Sequence, residues 1–213
     1  MTVIDLSHPI ASGMPVYPGD PEVSVSPALS VAVDGVAVAR LDLGSHTGTH
    51  LDAPSHSIEG GRTVDRIPLE QLVGPARVLS IGPSPAEASE VLGADRIAGD
   101  LPERLPLIVC VNSGWDVHFG GELGTSHPAL SLELARELWA RGARVLGVDM
   151  LSPDPTGGEG TMPVHEFWLG NDGVIVENLR GLSVVPDEVN VAFLPLRLSG
   201  GDGSPIRAVA LVG

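Results

Sequence analysis

Lysine is absent from this chain of 213 residues, and all twelve of its basic residues are arginine, a coding-composition bias that carries no function. Against 27 acidic residues this leaves a formal net charge of −15. A surface of that sign repels phosphate backbones and anionic lipid, which argues against nucleic acid and membranes as partners. Cysteine is nearly absent too: Cys110 stands alone in the run Leu107-Ile108-Val109-Cys110-Val111. One thiol closes no intrachain disulfide, and its apolar neighbours predict a buried strand. Aromatic residues are only 3% of the chain. No apolar run reaches the roughly 20 residues of a bilayer span, and Met1-Thr2-Val3-Ile4-Asp5 has neither a basic start nor an apolar signal core. A soluble cytoplasmic protein is the expectation.

Hydrophobic residues make up 43% and charged residues 18%, enough apolar content for one folded domain over residues 1–213. Twenty-seven glycines and nineteen prolines point to many short elements joined by tight turns. Strands are predicted at Val3–Leu6, Val23–Ser26, Leu29–Val33 and Val36–Leu43, the last two joined as a hairpin by Asp34-Gly35. Buried-strand runs follow at Ala76–Ile81, Leu107–Val111, Arg144–Val148, Val174–Val176, Val191–Leu194 and Ile206–Val212. The clearest helix is Leu132–Arg141, capped by Ser131 and ended by Gly142, with shorter ones at Leu69–Val73 and Ala86–Leu92. Strands first, then strands alternating with helices, predict an α/β fold on a mixed sheet.

The chemistry concentrates in His46-Thr47-Gly48-Thr49-His50-Leu51-Asp52-Ala53-Pro54-Ser55-His56, which has the density of a metal-ligand cluster. Pro54, and Gly48 between two β-branched threonines, make a helix improbable. In a straight strand His46 and His50 would lie about 13 Å apart, too far for one ion, so the segment has to bend, and Gly48 permits it. His50 and Asp52, two apart on one face, can reach a common ion directly. A second group, His165 and Glu177, brackets an apolar strand. It fits ligands and equally fits a hydrogen-bonded core histidine with a strand-end surface glutamate; spacing does not join the two groups. His118 and His127 stand outside both, with surface or interface roles expected, and Gly157-Gly158-Glu159-Gly160 is expected as a flexible loop near the site.

The segment HTGTHLDAPSH resembles the signature of the metal-dependent cyclase-like hydrolase family, which includes bacterial kynurenine formamidases and isatin hydrolases. The likeness extends through DLSHPIASGMPVYPGDP, NSGWDVH, HPALS, GVDMLSPD, VIVENL and GGDGSPIRAVAL. It implies a swivelling β/β/α fold, a homodimer or larger assembly, and two divalent ions, zinc or manganese. By position, His46, His50 and Asp52 would hold one ion, and Asp52, His165 and Glu177 the other. His56 would be the general acid/base, and Tyr17 matches the position where the formamidases carry a tryptophan that packs on the substrate's ring. Tyr17 in place of tryptophan and Thr49 in place of alanine are departures from the formamidases. Asp149 and Asp154 are candidates to orient a ligand, and Gly201-Asp202-Gly203 is expected as a turn in the pocket wall.

The activity so implied is hydrolysis of a small amide, either an arylformamide such as N-formylkynurenine or a cyclic amide such as isatin. Metal ions acidify water and polarise a carbonyl, and a histidine beside them carries a proton to the leaving nitrogen. A lactone or ester hydrolase, a biosynthetic cyclase, and a non-catalytic metal-binding or ligand-binding homologue are the alternatives.

Overall fold

The computed structural model describes residues 1–157 and 160–213, so Gly158 and Glu159 of the expected glycine-rich loop lie outside the described residues. In chain order the described elements are β1 (Thr2–Asp5), β2 (Ser24–Leu29), α1 (Val31–Asp34), β3 (Val38–Asp42), β4 (His50–Asp52), β5 (Val73–Ser80), β6 (Val91–Leu92), β7 (Ile108–Asn112), β8 (Ala129–Leu130), α2 (Leu132–Ala140), β9 (Val145–Val148), α3 (Pro163–Gly170), β10 (Val174–Glu177), β11 (Glu188–Ala192), β12 (Gly203–Pro205) and β13 (Val209–Val212). Nine strands form one sheet in the order β1-β13-β11-β5-β7-β9-β10-β4-β12. Its centre, β5-β7-β9-β10, is parallel, and the flanking pairs are antiparallel. The mixed sheet is the one the alternating pattern predicts.

The central strands are covered on both faces, which is why they read as unbroken apolar runs. Val109, Val111, Leu146, Val148 and Ile175 pack on one face with Leu134 and Leu138 of α2 and Val164 and Trp168 of α3. Ile108, Cys110, Val145, Val174 and Val176 turn to the other face, where Leu6, Leu51, Leu72 and Phe193 cover them. Ser131 caps α2 as expected, its Oγ accepting from the Leu134 N–H at 3.1 Å. At eight residues α3 is too short to persist alone in water. It is held because Val164, Trp168 and Leu169 are buried, each contributing about 1.5–3 kcal/mol. That docking fixes the depth of His165.

Three local expectations give way. The hairpin exists, but its strands are β2 and β3: residues 31–34 wind into α1, where the Asp34 carboxylate accepts from the Ser30 N–H at 2.8 Å and Gly35 ends the turn at φ +76°. The valines alternate as a strand would, and the local side-chain bond outcompetes that pattern. Over 86–92 no helix forms: Ser89 takes φ +58°, and Val91–Leu92 pairs with Ala129–Leu130 instead. At 69–73 a single 3-10 turn, Leu69–Gln71, precedes β5, which already begins at Val73. Among the described residues, no helix is long and apolar enough to cross a membrane.

Candidate metal centre

The histidine-rich segment bends where its sequence requires. Gly48 sits at φ +62°, and the turn brings the His46 and His50 rings edge-to-face at 5.1 Å between centroids. Beyond the bend the chain enters β4, which alternates: Leu51 points into the core on the far face, while His50 and Asp52 share the helix-covered face. The His50 Nδ1–H donates to the Gly48 carbonyl at 2.8 Å, leaving Nε2 at 3.2 Å from Asp52 Oδ1.

The second group arrives from the neighbouring elements. β10 pairs antiparallel with β4 and sets Glu177 directly opposite His50, so Glu177 Oε2 lies 3.3 Å from His50 Nε2. From above the sheet, α3 lowers His165 until its Nε2 is 3.3 Å from Glu177 Oε1 and 3.7 Å from Asp52 Oδ2. Asp154 aims that ring. Its carboxylate accepts the Val164 and His165 N–H groups of the helix's first turn, each at 2.9 Å, and the His165 Nδ1–H at 2.8 Å. The structure therefore joins the two groups that spacing left apart.

One donor atom each from His46, His50 and Asp52 lies within 4.8 Å of the others, and the same holds for Asp52, His165 and Glu177. Burial opposes charge throughout this cluster, yet facing partners override it. His50 is held well above the ordinary imidazole range by Asp52 and Glu177, and His165 likewise by Asp154, Asp52 and Glu177. Asp52 is held well below the carboxylate range by His50, His165 and His46. Two oxygens remain unsatisfied: buried Asp52 Oδ2 and Glu177 Oε1 have no hydrogen-bond partner. Buried carboxylate oxygens without donors are costly, and a cation between them and the imidazoles removes that cost. Three imidazoles and two carboxylates also form a donor set suited to a divalent ion.

His56 stands beside the cluster on the short turn Pro54–His56, its ring 4.0 Å from that of His46 and 5.7 Å from that of His165, centroid to centroid. Burial pushes its imidazole below the ordinary range. Tyr17 lines the same cleft, a space of about 370 Å³ whose walls include Asp20, Leu151 and Met162 together with the histidines and Glu177. The other rings do not reach it. Trp115 and Phe119 line a separate cavity of about 80 Å³, Trp168 is in the core, and Phe167 packs on Trp139. Asp149, a candidate for orienting a ligand, instead accepts from the Ser113 and Gly114 N–H groups and the Ser113 hydroxyl. Contrary to a surface role, His127 is buried and bonded to Thr156 Oγ1 and the Pro128 carbonyl.

Asp202 is the site residue that spacing missed. Its Oδ2 lies 2.9 Å from His46 Nε2, and the His46 imidazole holds the Asp202 carboxyl at about 2 against the opposing effect of burial. Gly203 beside it is a steric necessity: a Cβ there would stand 2.7 Å from His46 Cε1 and 2.8 Å from the Leu51 carbonyl oxygen. The glycines flanking an acid in Gly201-Asp202-Gly203 are the only sequence signal of this approach.

Comparison with known proteins identifies the family. The family described as "Putative cyclase" matches residues 4–155. The kynurenine formamidase of Maricaulis maris (strain MCS10) is 32% identical over 213 residues, covering 96% of this chain and 95% of its own. Among solved structures, one described as a potential metal-dependent hydrolase with cyclase activity superposes with a TM-score of 0.79 at 30% identity, covering 98% of this chain and 96% of its own. Isatin hydrolase A from Labrenzia aggregata, bound to benzyl benzoate, gives a TM-score of 0.86 at 26% identity, covering 99% and 93%. With the sequence family, a full-length relative and the same sheet in agreement, the chain belongs to the cyclase family.

Proposed function

We propose that this chain hydrolyses the C–N bond of a small amide, an arylformamide or a cyclic amide, with two divalent ions, zinc or manganese, at the cluster. The observation that carries this reading is the pair of buried, donorless oxygens, Asp52 Oδ2 and Glu177 Oε1, among three imidazoles at the floor of a cleft. In this reading His46, His50 and Asp52 hold one ion, and Asp52, His165 and Glu177 the other. Such ions supply Lewis acidity to a carbonyl oxygen and acidify water. His56 takes a proton from the attacking water and returns it to the amide nitrogen as the C–N bond breaks, giving a carboxylic acid and an amine. Tyr17 offers the cleft's aromatic face to the substrate's ring.

The cleft also speaks to substrate charge. Its described lining has no arginine, and away from the imidazoles its charged residue is Asp20. We take the preferred amide to be uncharged or amine-bearing at that end. Assembly as a homodimer or larger is part of the same reading, supported by the apolar residues exposed on the β2–β3 hairpin: Val25, Leu29, Val38 and Leu41.

The test is elemental analysis of protein purified without a chelating tag, then turnover of formanilide, N-formylkynurenine and isatin by the same sample. About two equivalents of zinc or manganese with turnover of any of these supports the reading. Absence of both metal and activity, including after zinc or manganese is added, overturns it. A neutral formanilide favoured over its carboxylate-bearing analogue supports the charge preference, and the reverse order refutes it.

A further inference from the structure

We propose that Asp202 is a positioning residue of this centre, fixing which nitrogen of His46 faces Asp52 and standing as the counter-charge of His56. A neutral imidazole has one N–H, and the hydrogen bond made on one side decides which nitrogen keeps a lone pair on the other. His46 Nε2 lies 2.9 Å from Asp202 Oδ2 and Nδ1 lies 2.7 Å from Asp52 Oδ1; with an ion held between His46 and Asp52, the neutral ring would keep its N–H on Nε2, toward Asp202, and its lone pair on Nδ1. The same scheme governs the other two rings, with the Gly48 carbonyl holding His50 and Asp154 holding His165. Each imidazole of the cluster thus has an outer nitrogen held by an acceptor outside the cluster and an inner one facing Asp52 or Glu177, an arrangement that fixes ligand orientation in metal sites.

Asp202 differs from the other two anchors in serving a second ring. The same Oδ2 lies 3.6 Å from His56 Nδ1, an ion-pair distance too long for a hydrogen bond. The His46 and His56 rings pack 4.0 Å apart, and one carboxylate oxygen faces a nitrogen of each. Resting on the hydrolase reading above, His56 is charged while it carries the proton from water to the leaving nitrogen, and Asp202 is the carboxylate it then faces.

Backbone contacts place Asp202 independently of its side chain. Its carbonyl accepts the Ala53 N–H at 2.9 Å, the Gly201 carbonyl accepts the Val64 N–H at 2.8 Å, and Gly203 pairs with Asp52 in the sheet. Removing the carboxylate therefore leaves the loop in place. A rival role exists, since donor atoms of Asp202, His46 and His56 also lie within 4.8 Å of one another and could themselves hold an ion.

The experiment compares Asp202→Ala and Asp202→Asn with the wild type by chelator competition for zinc and manganese, ion stoichiometry, and kcat and KM on formanilide. Loss of the anchor in Asp202→Ala weakens ion affinity by about 10–100-fold at unchanged stoichiometry. The Asn oxygen accepts the same His46 N–H and brings affinity back close to wild type. Without the charge, its kcat stays at least about tenfold below wild type while KM is unchanged. Asp202→Ala binding its ions as tightly as wild type overturns the proposal, as does Asp202→Asn with full kcat. One ion fewer per chain in both variants assigns Asp202 as a ligand and also overturns it. A wild type that takes up no ion removes the hydrolase reading itself, and the proposal with it.

Discussion

Strand β4 and the β2–β3 hairpin that precedes it invert the usual distribution of residues in opposite directions. In β4 the polar residues His50 and Asp52 are buried, whereas in the hairpin Val25, Leu29, Val38 and Leu41 are exposed. The first inversion is stabilised from all sides: Glu177 lies opposite, His165 above, and an apolar layer beneath Leu51. The second has no such cover among the described residues: β2 and β3 are exposed throughout, tied on through Ser12, whose hydroxyl bonds both the N–H and the carbonyl of Val25, and a lone two-stranded ribbon is marginal in water. Buried polar groups and exposed apolar ones are the informative departures from ordinary folding. Here one marks the candidate metal centre, and the other is the surface to which the proposed reading assigns assembly.

The sharpest way to break the comparison is to strip β4 of its charge. Asp52→Ala removes the carboxylate common to both ligand groups; elemental analysis should find the ions gone, and kcat/KM should fall by about 10³-fold or more. It also takes the facing carboxylate from His46 and His50, and breaking such a buried pair costs about 3–5 kcal/mol in a denaturant titration. Asp154→Ala acts one step out. It removes the acceptor of the His165 ring and of two N–H groups in α3, costing about 1–3 kcal/mol and weakening ion binding by about 10–100-fold.

Gly203→Ala tests the same strand from its other neighbour. The new Cβ would overlap His46 and the Leu51 carbonyl, and such overpacking costs about 1–3 kcal/mol with loss of ion affinity. In the hairpin the expectation reverses. Val33→Ser with Leu41→Ser should change subunit stability by no more than about 0.5 kcal/mol, while light scattering reports a fall in oligomer mass; unchanged mass with unchanged stability would deny the hairpin its assembly role. The smallest effect is at Cys110, whose thiol burial pushes up to about 12. Because the folded value exceeds the ordinary 9.0, its contribution to stability is complete below pH 9.0 and is lost as pH rises toward 12. Thiol reagents at pH 8 should leave it untouched until the chain unfolds.

How much of this was legible in the sequence depends on how local the cause is. Unbroken apolar runs gave away β7, β9 and β10, because strands covered on both faces need no polar alternation. The bend at Gly48 followed from reach alone, since two histidines that far apart on a strand cannot share an ion. Helix α3 was not legible: eight residues opened by Pro163 carry too little periodicity, and docking of Trp168 decides the matter. Likewise the alternating valines at 31–33 read as strand, because the bond from Ser30 to Asp34 leaves no trace in hydropathy. Asp202 was the hardest to see. It meets His46 across 156 residues of chain, through a sheet register that no local pattern encodes.

The position of β4 in the sheet bears on how the molecule breathes. Only β12, three residues long, separates it from the sheet's edge, whereas β7 and β9 lie in the interior. Partial opening of a fold begins where the fewest hydrogen bonds must break together. Amides of Gly203 and Ser204 should therefore exchange with deuterated solvent well before those of β7 and β9, and fraying at that rim would open a way to the neighbouring cluster while the interior of the sheet stays closed.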